Sequence, residues 1–195
     1  MKRSPVCLML LALAVPLVGC AGSRTYVNEE ADFGFYTNVG VVPFSNLSAD
    51  RSASDKVTAG WVTELLISGK VQVATMGDFV RAIRQIVKED RTNWLDGLTA
   101  EEVKSIGEVT KVQGLFVGAV KDFSMVRSGQ EEFPLVSVTI RFIDCQSGQV
   151  VWSEDITRKG GPKFPIFSFG ETHTLGEMTA KVCREAAASF AATLK

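Results

Sequence analysis

The chain has 195 residues and a formal net charge of −1 at pH 7, from 21 Lys and Arg against 22 Asp and Glu. This balance offers no excess of basic charge for binding nucleic acid. The length accommodates one domain with a sizeable core and falls short of two comfortable ones.

The N-terminus carries a charged segment followed by an apolar one. Lys2 and Arg3 precede an apolar run from Val6 to Val18, whose only internal break is Pro16. A permanent membrane-spanning helix needs about 20 apolar residues, so this shorter run is typical of an export signal that is removed. We predict a signal peptide over residues 1–19. Its removal takes away two basic and no acidic residues, which lowers the net charge to −3.

The end of the apolar run, LVGC, resembles the bacterial lipoprotein box. In proteins with this box the cysteine thiol receives a diacylglyceryl group, and cleavage falls between the positions of Gly19 and Cys20. The new amine then takes a further acyl chain such as palmitate. Two or three acyl chains make a stable membrane anchor, whereas one binds only marginally. The resemblance therefore implies that Cys20 is the lipidation site.

An ordinary secretory signal with a chance cysteine is the alternative to lipidation. Ala21 and Gly22 would supply the small residues that such a cleavage site needs. We favour lipidation, because the position, the flanks and the spacing of Cys20 agree with it. Ala21 and Gly22 also lack the aspartate that retains lipoproteins in the inner membrane of the better studied Gram-negative bacteria. The resemblance thus implies the outer membrane, with the protein on its periplasmic face.

Residues 20–37 are interpreted as the lipidated N-terminus and a short tether. The stretch AGSRTYVNEEADFGFYT is small and polar, with order increasing towards Phe33 and Tyr36. About 17 residues of flexible chain average roughly 20 to 25 Å from end to end. The domain that follows, residues 38–195, is therefore expected to stay near the membrane surface.

The first half of this domain alternates strands and helices. It opens with a short buried strand, NVGVVPFSN from Asn38. Two helices follow, on either side of a strand in KVQVATM, and LTAEEVKSIGEVTKV gives a third helix. The first helix is expected to end at Gly69. The capping signals are Ser52 with Asp55, Thr75 with Asp78, and Thr99 with Glu102.

The second half consists of strands joined by hairpins, followed by a helix. An apolar strand runs from Leu115 to Val126, and LVSVTIRFID alternates apolar and polar residues as in a half-covered antiparallel sheet. DCQSGQ supplies turn residues, and VVWSEDIT returns as the partner strand. Thr174 and Glu177 cap a last amphipathic helix. We predict a single α/β domain with a mixed sheet, antiparallel hairpins in its C-terminal part and helices packed on the sheet.

Residues for catalysis or metal binding form no pattern in the sequence. The only histidine, His173, lies beside a helix cap, and Cys145 and Cys183 lack metal-site spacing. A disulfide and two buried thiols both remain open for these cysteines, and we favour the thiols. The sequence contains no nucleophile elbow, phosphate loop or dinucleotide fingerprint. We therefore expect no enzymatic activity, no cofactor, no metal and no small-molecule substrate. Solvated charge explains the acidic pairs Glu29–Glu30, Glu101–Glu102 and Glu131–Glu132.

One segment, RKGGPKFPIFSFGE over residues 158–171, concentrates aromatic residues between Gly and Pro. Either two or three of its rings fold back onto the sheet, or the segment is exposed beside basic residues and contacts a protein or a membrane. We expect a split, with Phe167 or Phe169 packed and Phe164 outward. The candidate partner contacts are Phe164, Ile166, Phe167 and Phe169.

Several stretches together resemble a known family of lipoproteins. They are VGVVPFSN from Val39, VQVATMGDFVRAI from Val71, GLFVGAVKDF from Gly114, and the hairpin from Arg141 to Trp152. Over residues 38–194 the chain resembles the CsgG-like lipoproteins of the curli production assembly/transport family and the related LpoB-like activators of penicillin-binding proteins. The resemblance implies a periplasmic α/β domain that works through protein contacts.

The departures from these families define the expected function more closely. SMVRSGQEEFPL has a charged tip and no pair of amphipathic spans of about 9 to 11 residues, which a membrane barrel would need. We expect an outer-membrane lipoprotein that acts through protein contacts in the assembly or secretion of envelope or surface components. Its partners are the membrane through Cys20, and an envelope protein or further copies of itself. The alternative is an activator that binds a peptidoglycan synthase.

Overall fold

The computed structural model describes residues 23–87, 94, 95, 97–161 and 172–194. The strands in these residues are β1 (Ser23–Val27), β2 (Asn38–Val41), β3 (Ser45–Asn46), β4 (Gln72–Val73), β5 (Gly114–Ser128), β6 (Glu131–Asp144) and β7 (Val150–Lys159). The helices are α1 (Ala53–Ser68), α2 (Met76–Ile86), α3 (Ala100–Thr110) and α4 (Leu175–Ala191), and Phe33–Phe35 form a 3₁₀ turn.

The strands form one mixed sheet in the order β1-β7-β6-β5-β2-β4, with β3 also paired to β5. β2 runs parallel to β4 and β5, and β3 runs parallel to β5. The pairs β1–β7, β5–β6 and β6–β7 are antiparallel. This architecture confirms the predicted single α/β domain with a mixed sheet and C-terminal hairpins.

Helices cover the sheet on both faces, so the strands of its centre alternate between two apolar clusters. Phe116 of β5 packs with α1 and α4 on one face, while its neighbours Leu115 and Val117 pack with α2 and α3 on the other. On β6, four residues of one face are fully buried, which confirms the alternation that the sequence predicts. They are Val136, Val138, Ile140 and Phe142.

Aromatic rings fill the larger of these clusters. Phe116 lies 4.6 Å from Phe142 and 4.8 Å from Phe190 of α4, measured between ring centroids. Trp61 of α1 stacks on Trp152 of β7 at 6.4 Å. Edge-to-face and stacked pairs add about 0.5 to 1.5 kcal/mol each beyond the burial of the rings. The cluster therefore fixes α1 and α4 against the three central antiparallel strands.

The helix caps agree with the sequence in part. Thr99 and Thr174 each form the predicted capping box with the glutamate three residues later. The first helix ends at Gly69, whose φ of 62° is the left-handed conformation that glycine tolerates best. Ser52 and Thr75 occupy the predicted N-cap positions of α1 and α2, but neither side chain bonds to a helix backbone amide, so the predicted capping bonds do not form. The Ser52 hydroxyl instead donates to Asp50 Oδ1 at 2.7 Å.

The expected tether is folded from Ser23 onwards, which corrects the interpretation of residues 23–37. β1 pairs along its whole length with β7. Phe33 and Tyr36, towards which the sequence predicts increasing order, are buried, and their rings contact Phe190 and Phe142 respectively. The segment is ordered because this burial of two rings fastens it to the core, each ring contributing about 1.5 to 3 kcal/mol.

Candidate interaction surface

The residues predicted to carry function lie outside the described part of the chain. Gly19 and Cys20 precede it, and Phe164, Ile166, Phe167 and Phe169 fall between Gly161 and Thr172. The cleavage site, the lipidation site and the partner contacts therefore remain predictions. The nearest described residue to Cys20 is Ser23, the first residue of β1.

β1 is an edge strand, and its five residues are all exposed. Ser23 lies opposite Ile156 of β7, and Val27 lies opposite Trp152. One side of β1 pairs with β7, whereas its other side meets no further strand of the described sheet. Such an edge presents unpaired backbone N–H and C=O groups to its surroundings. Tyr26 and Val27 keep 53% and 38% of their surface exposed.

A buried carboxylate on β7 holds β1 in place. Glu154 is only 3% exposed, and both its carboxylate oxygens accept hydrogen bonds from β1. The Ser23 hydroxyl donates to Oε1 at 2.8 Å, and the Thr25 hydroxyl donates to Oε2 at 3.1 Å. A buried charge is tolerated only when it is paired or hydrogen-bonded. Sequence reasoning missed this arrangement, although a glutamate among the apolar residues of VVWSEDIT was its one signal.

Two ion pairs connect β7 to its neighbours. Lys121 of β5 pairs with Asp155, so this pair crosses the intervening strand β6. Arg158 Nε lies 2.7 Å from Glu185 Oε2 of α4. Both pairs are partly exposed, so each contributes little to stability.

A groove of about 420 Å³ lies between the start of α4 and the middle of α1. Gly60 and Gly176 are among its lining residues, and Phe123 supplies an aromatic wall. Lys56 Nζ lies 5.1 Å from the centroid of the Phe123 ring, within the range of a cation–π contact. One wall of the groove is therefore formed by the charged side chain of Lys56 in contact with the Phe123 ring.

The two cysteines are free, buried and packed in different apolar clusters. Burial raises the pKa of Cys145 to about 12, and the Asp144 carboxylate adds to this effect. Burial likewise raises the pKa of Cys183 to about 12, with a smaller contribution from Glu64. Since a thiolate is the reactive form, both thiols are inert at neutral pH. The structure thus agrees with the favoured interpretation of two buried thiols.

His173 and Asp144 take part in hydrogen bonds that involve backbone amides. The exposed His173 donates its backbone N–H to Glu177 Oε2 at 3.4 Å, at the start of α4. Asp144 Oδ2 accepts from the Ser147 amide at 2.7 Å and so closes the β6–β7 turn. Burial, and then the charge of Asp144, raises the pKa of Tyr36 well above its usual range. These contacts give both residues structural roles.

The described residues show neither a metal-site arrangement nor a membrane-spanning helix. No group of three His, Cys, Asp or Glu side chains there has the arrangement of a metal site. Among the helices of the same residues, none has the length and apolar character needed to cross a bilayer. The described residues therefore present an exposed sheet edge, β1, which is hydrogen-bonded to Glu154 and begins three residues after the predicted lipid site.

No protein-family model matches the chain, and no curated protein matches it. Solved structures do match. The PelC dodecamer from Paraburkholderia phytofirmans is 19% identical, covers 86% of this chain and 95% of that chain, and has a TM-score of 0.57. The lipoprotein GNA1162 from Neisseria meningitidis is 18% identical, covers 78% of this chain and 99% of that chain, and has a TM-score of 0.53. These structures share the fold of this chain.

A third match bears on the resemblance that the sequence suggested. The LpoB C-terminal domain from Salmonella enterica is 14% identical, covers 67% of this chain and 87% of that chain, and has a TM-score of 0.48. An LpoB domain is thus among the matched structures, at a score too low to argue from. None of these three structures is a curli secretion lipoprotein, so the CsgG-like half of the resemblance remains unsupported.

Proposed function

We propose that the chain is a non-enzymatic lipoprotein of the bacterial envelope, anchored through Cys20 to the outer membrane and acting through protein contacts. One combination of observations supports this proposal. A lipoprotein-type cysteine stands three residues before β1, in a fold shared by the lipoprotein GNA1162 and by PelC, which forms dodecamers. The contacts are accordingly those of an assembly built from copies of this chain, or from this chain and an envelope partner.

The short distance between Cys20 and β1 supports the proposal independently of the comparisons with solved structures. Three residues span at most about 10 to 11 Å when fully extended. The 17-residue tether expected from the sequence would have averaged roughly 20 to 25 Å, about twice this distance. With β1 fastened to β7, the domain works at the membrane surface.

The anchor is tested by the intact mass and the location of the mature protein. We expect the mature chain to begin at Cys20 and to carry acyl chains, and Cys20→Ser to remain unprocessed or to leave the membrane fraction. A mature chain that begins elsewhere without acyl chains would contradict both the anchor and the location.

The assembly is tested by the size of the acylated protein after gentle extraction in detergent. We expect a complex of defined mass, either of this chain alone or with envelope components recovered by crosslinking in whole cells. A monomer that crosslinks to nothing would contradict this part of the proposal.

Activation of a peptidoglycan synthase is the second candidate function, on the LpoB-like half of the sequence resemblance. A pull-down from membranes separates the two candidates. Peptidoglycan synthases would be recovered by an activator, whereas outer-membrane assembly components or further copies of the chain would be recovered by an assembly protein. The short distance from Cys20 to β1 argues against a domain that reaches far from its own membrane.

A further inference from the structure

β1 is the described element that must lie nearest to the bilayer if Cys20 carries the lipid, a condition that rests on the proposed function. The acyl chains place Cys20 at the level of the lipid headgroups, and the headgroup layer of one leaflet is about 5 to 8 Å thick. Since the chain from Cys20 to Ser23 spans at most about 10 to 11 Å, Ser23 stays within that distance of the headgroups.

The register of β1 decides which side of the domain meets this requirement. Ser23 lies opposite Ile156, which itself lies opposite Val138 of β6. From Val138, β6 continues to Glu131 in one direction and to Asp144 in the other. At about 3.4 Å per residue these ends are roughly 24 Å and 20 Å away. Along the strand direction, Ser23 therefore lies level with the middle of β6, far from both ends of that strand.

Neither end of the sheet can rest on the bilayer under this constraint, because both ends lie farther from Ser23 than the chain to Cys20 reaches. The opposite edge strand, β4, is separated from β1 by five inter-strand spacings, or roughly 24 Å. The edge formed by β1 contains Ser23 itself and therefore meets the distance requirement directly. The Ser23 and Thr25 bonds to Glu154 keep this edge fixed to the rest of the sheet.

The exposed side chains of β1 suit a lipid surface. Ser23 and Thr25 point towards Glu154, so Arg24 and Tyr26 lie on the other face of the strand. A guanidinium pairs with lipid phosphate, and tyrosine is enriched at headgroup level because its ring is apolar and its hydroxyl is polar. Glu29 and Glu30 follow β1 and outnumber Arg24 by one charge, so the surface fits zwitterionic lipids better than anionic ones.

We infer that the β1 edge lies against the lipid surface, with Arg24 at the phosphates and Tyr26 at headgroup level. The domain thus stands on the membrane by one edge of its sheet, and its two helical layers and its far edge are left free for protein contacts. A second copy of the chain paired to the same edge is the competing arrangement, and it would remove β1 from the lipid.

The test uses the mature acylated chain in phosphatidylethanolamine–phosphatidylcholine vesicles that contain a headgroup-labelled nitroxide lipid. A fluorophore is attached at Tyr26→Cys or, as a matched control on the opposite edge strand, at Gln72→Cys. Labelling is done at neutral pH, where the buried thiols of Cys145 and Cys183 stay protonated. We expect the label at position 26 to lose most of its fluorescence, the label at position 72 to keep it, and neither to be quenched in a chain of residues 21–195, which has neither the signal peptide nor the lipid site.

Contact is separated from mere proximity by a second substitution. Arg24→Glu, combined with Tyr26→Cys, should restore part of the fluorescence, because the new carboxylate is repelled by lipid phosphate. Equal quenching at positions 26 and 72, no quenching at 26, or no effect of Arg24→Glu would overturn the inference, and coupling between labels on two copies would favour the paired edge. Intact mass is measured on the same samples. A chain without acyl groups contradicts the proposed function, whereas an acylated, membrane-bound chain with an unquenched label contradicts only this inference.

Discussion

Thr25 and Glu154 form the contact on which the position of β1 depends most directly. Thr25→Val keeps the shape and the strand propensity of the side chain but removes the hydroxyl that donates to Glu154 Oε2. A buried acceptor that loses its donor costs about 1 to 3 kcal/mol. We therefore expect the free energy of unfolding to fall by about that amount, measured by denaturant titration.

The control for this substitution is Arg24→Val in the same strand. Arg24 lies on the other face of β1, so its replacement should change the free energy of unfolding by no more than about 0.5 kcal/mol, as is usual for surface positions. Equal losses from the two substitutions would mean that the contribution comes from the strand as a whole and not from the Glu154 contact.

The raised pKa values of the two buried thiols predict how the free energy of unfolding depends on pH. Their pKa is raised from the ordinary value of 9.0 to about 12 in the folded chain, by burial first and by nearby carboxylates second. A raised folded pKa contributes stability that is complete below about pH 9 and is lost as the pH rises through about 12. We expect the denaturant midpoint to fall steadily above pH 9, and to fall less in the double variant Cys145→Ala, Cys183→Ala. A midpoint independent of pH up to about 11 would contradict the assigned burial.

At the scale of elements, the caps of α4 and α2 provide a matched pair of positions. Thr174 forms a complete capping box with Glu177, whereas Thr75 makes no side-chain cap bond. Loss of a capping side chain costs about 1 kcal/mol. Thr174→Ala should therefore lower the free energy of unfolding by about 1 kcal/mol, and Thr75→Ala by much less. A larger effect at Thr75 would show that α2 begins differently in solution.

The same elements show what the sequence can and cannot predict. The alternation in β6 and the capping boxes at Thr99 and Thr174 are local patterns, and each is predicted correctly because its cause lies within a few residues. β1 escapes prediction because an edge strand with five exposed residues buries no apolar side chain and leaves no periodic signal. β1 is held in place by Glu154, which is 131 residues from Ser23 in the sequence. Such a contact becomes visible only when the fold brings the two strands together.

The predicted functional residues illustrate a different limit. A lipid-site signal such as LVGC is read by processing enzymes as a short linear motif, so the sequence alone is sufficient to predict it. The place of that lipid relative to the domain is not in the motif. It follows from where the first strand begins and from the register of that strand, and both differ from the 17-residue tether that the composition of residues 21–37 suggested.

At the scale of the whole molecule, the proposed arrangement makes the short chain between Cys20 and Ser23 the element that orients the domain. An anchored domain with a long tether samples many orientations, whereas one held within about 10 Å by an edge strand samples few. In the proposed arrangement every copy presents the same surfaces away from the bilayer. Copies that share one orientation associate more readily, because less rotational freedom remains to be lost on contact.

Lengthening that chain should therefore release the orientation without releasing the anchor. A Gly/Ser spacer of about 20 residues, placed between Gly22 and Ser23, has an average span of about 25 Å. We expect the acylated protein to stay bound to vesicles and to unfold as before, while the label at Tyr26→Cys recovers most of its fluorescence. The control is the same spacer inserted after Gly129, in the turn between β5 and β6, which lengthens a surface loop and leaves the anchor distance unchanged. Quenching that survives the spacer before Ser23 would show that β1 holds to the lipid by its own affinity and that the short chain does not set the orientation.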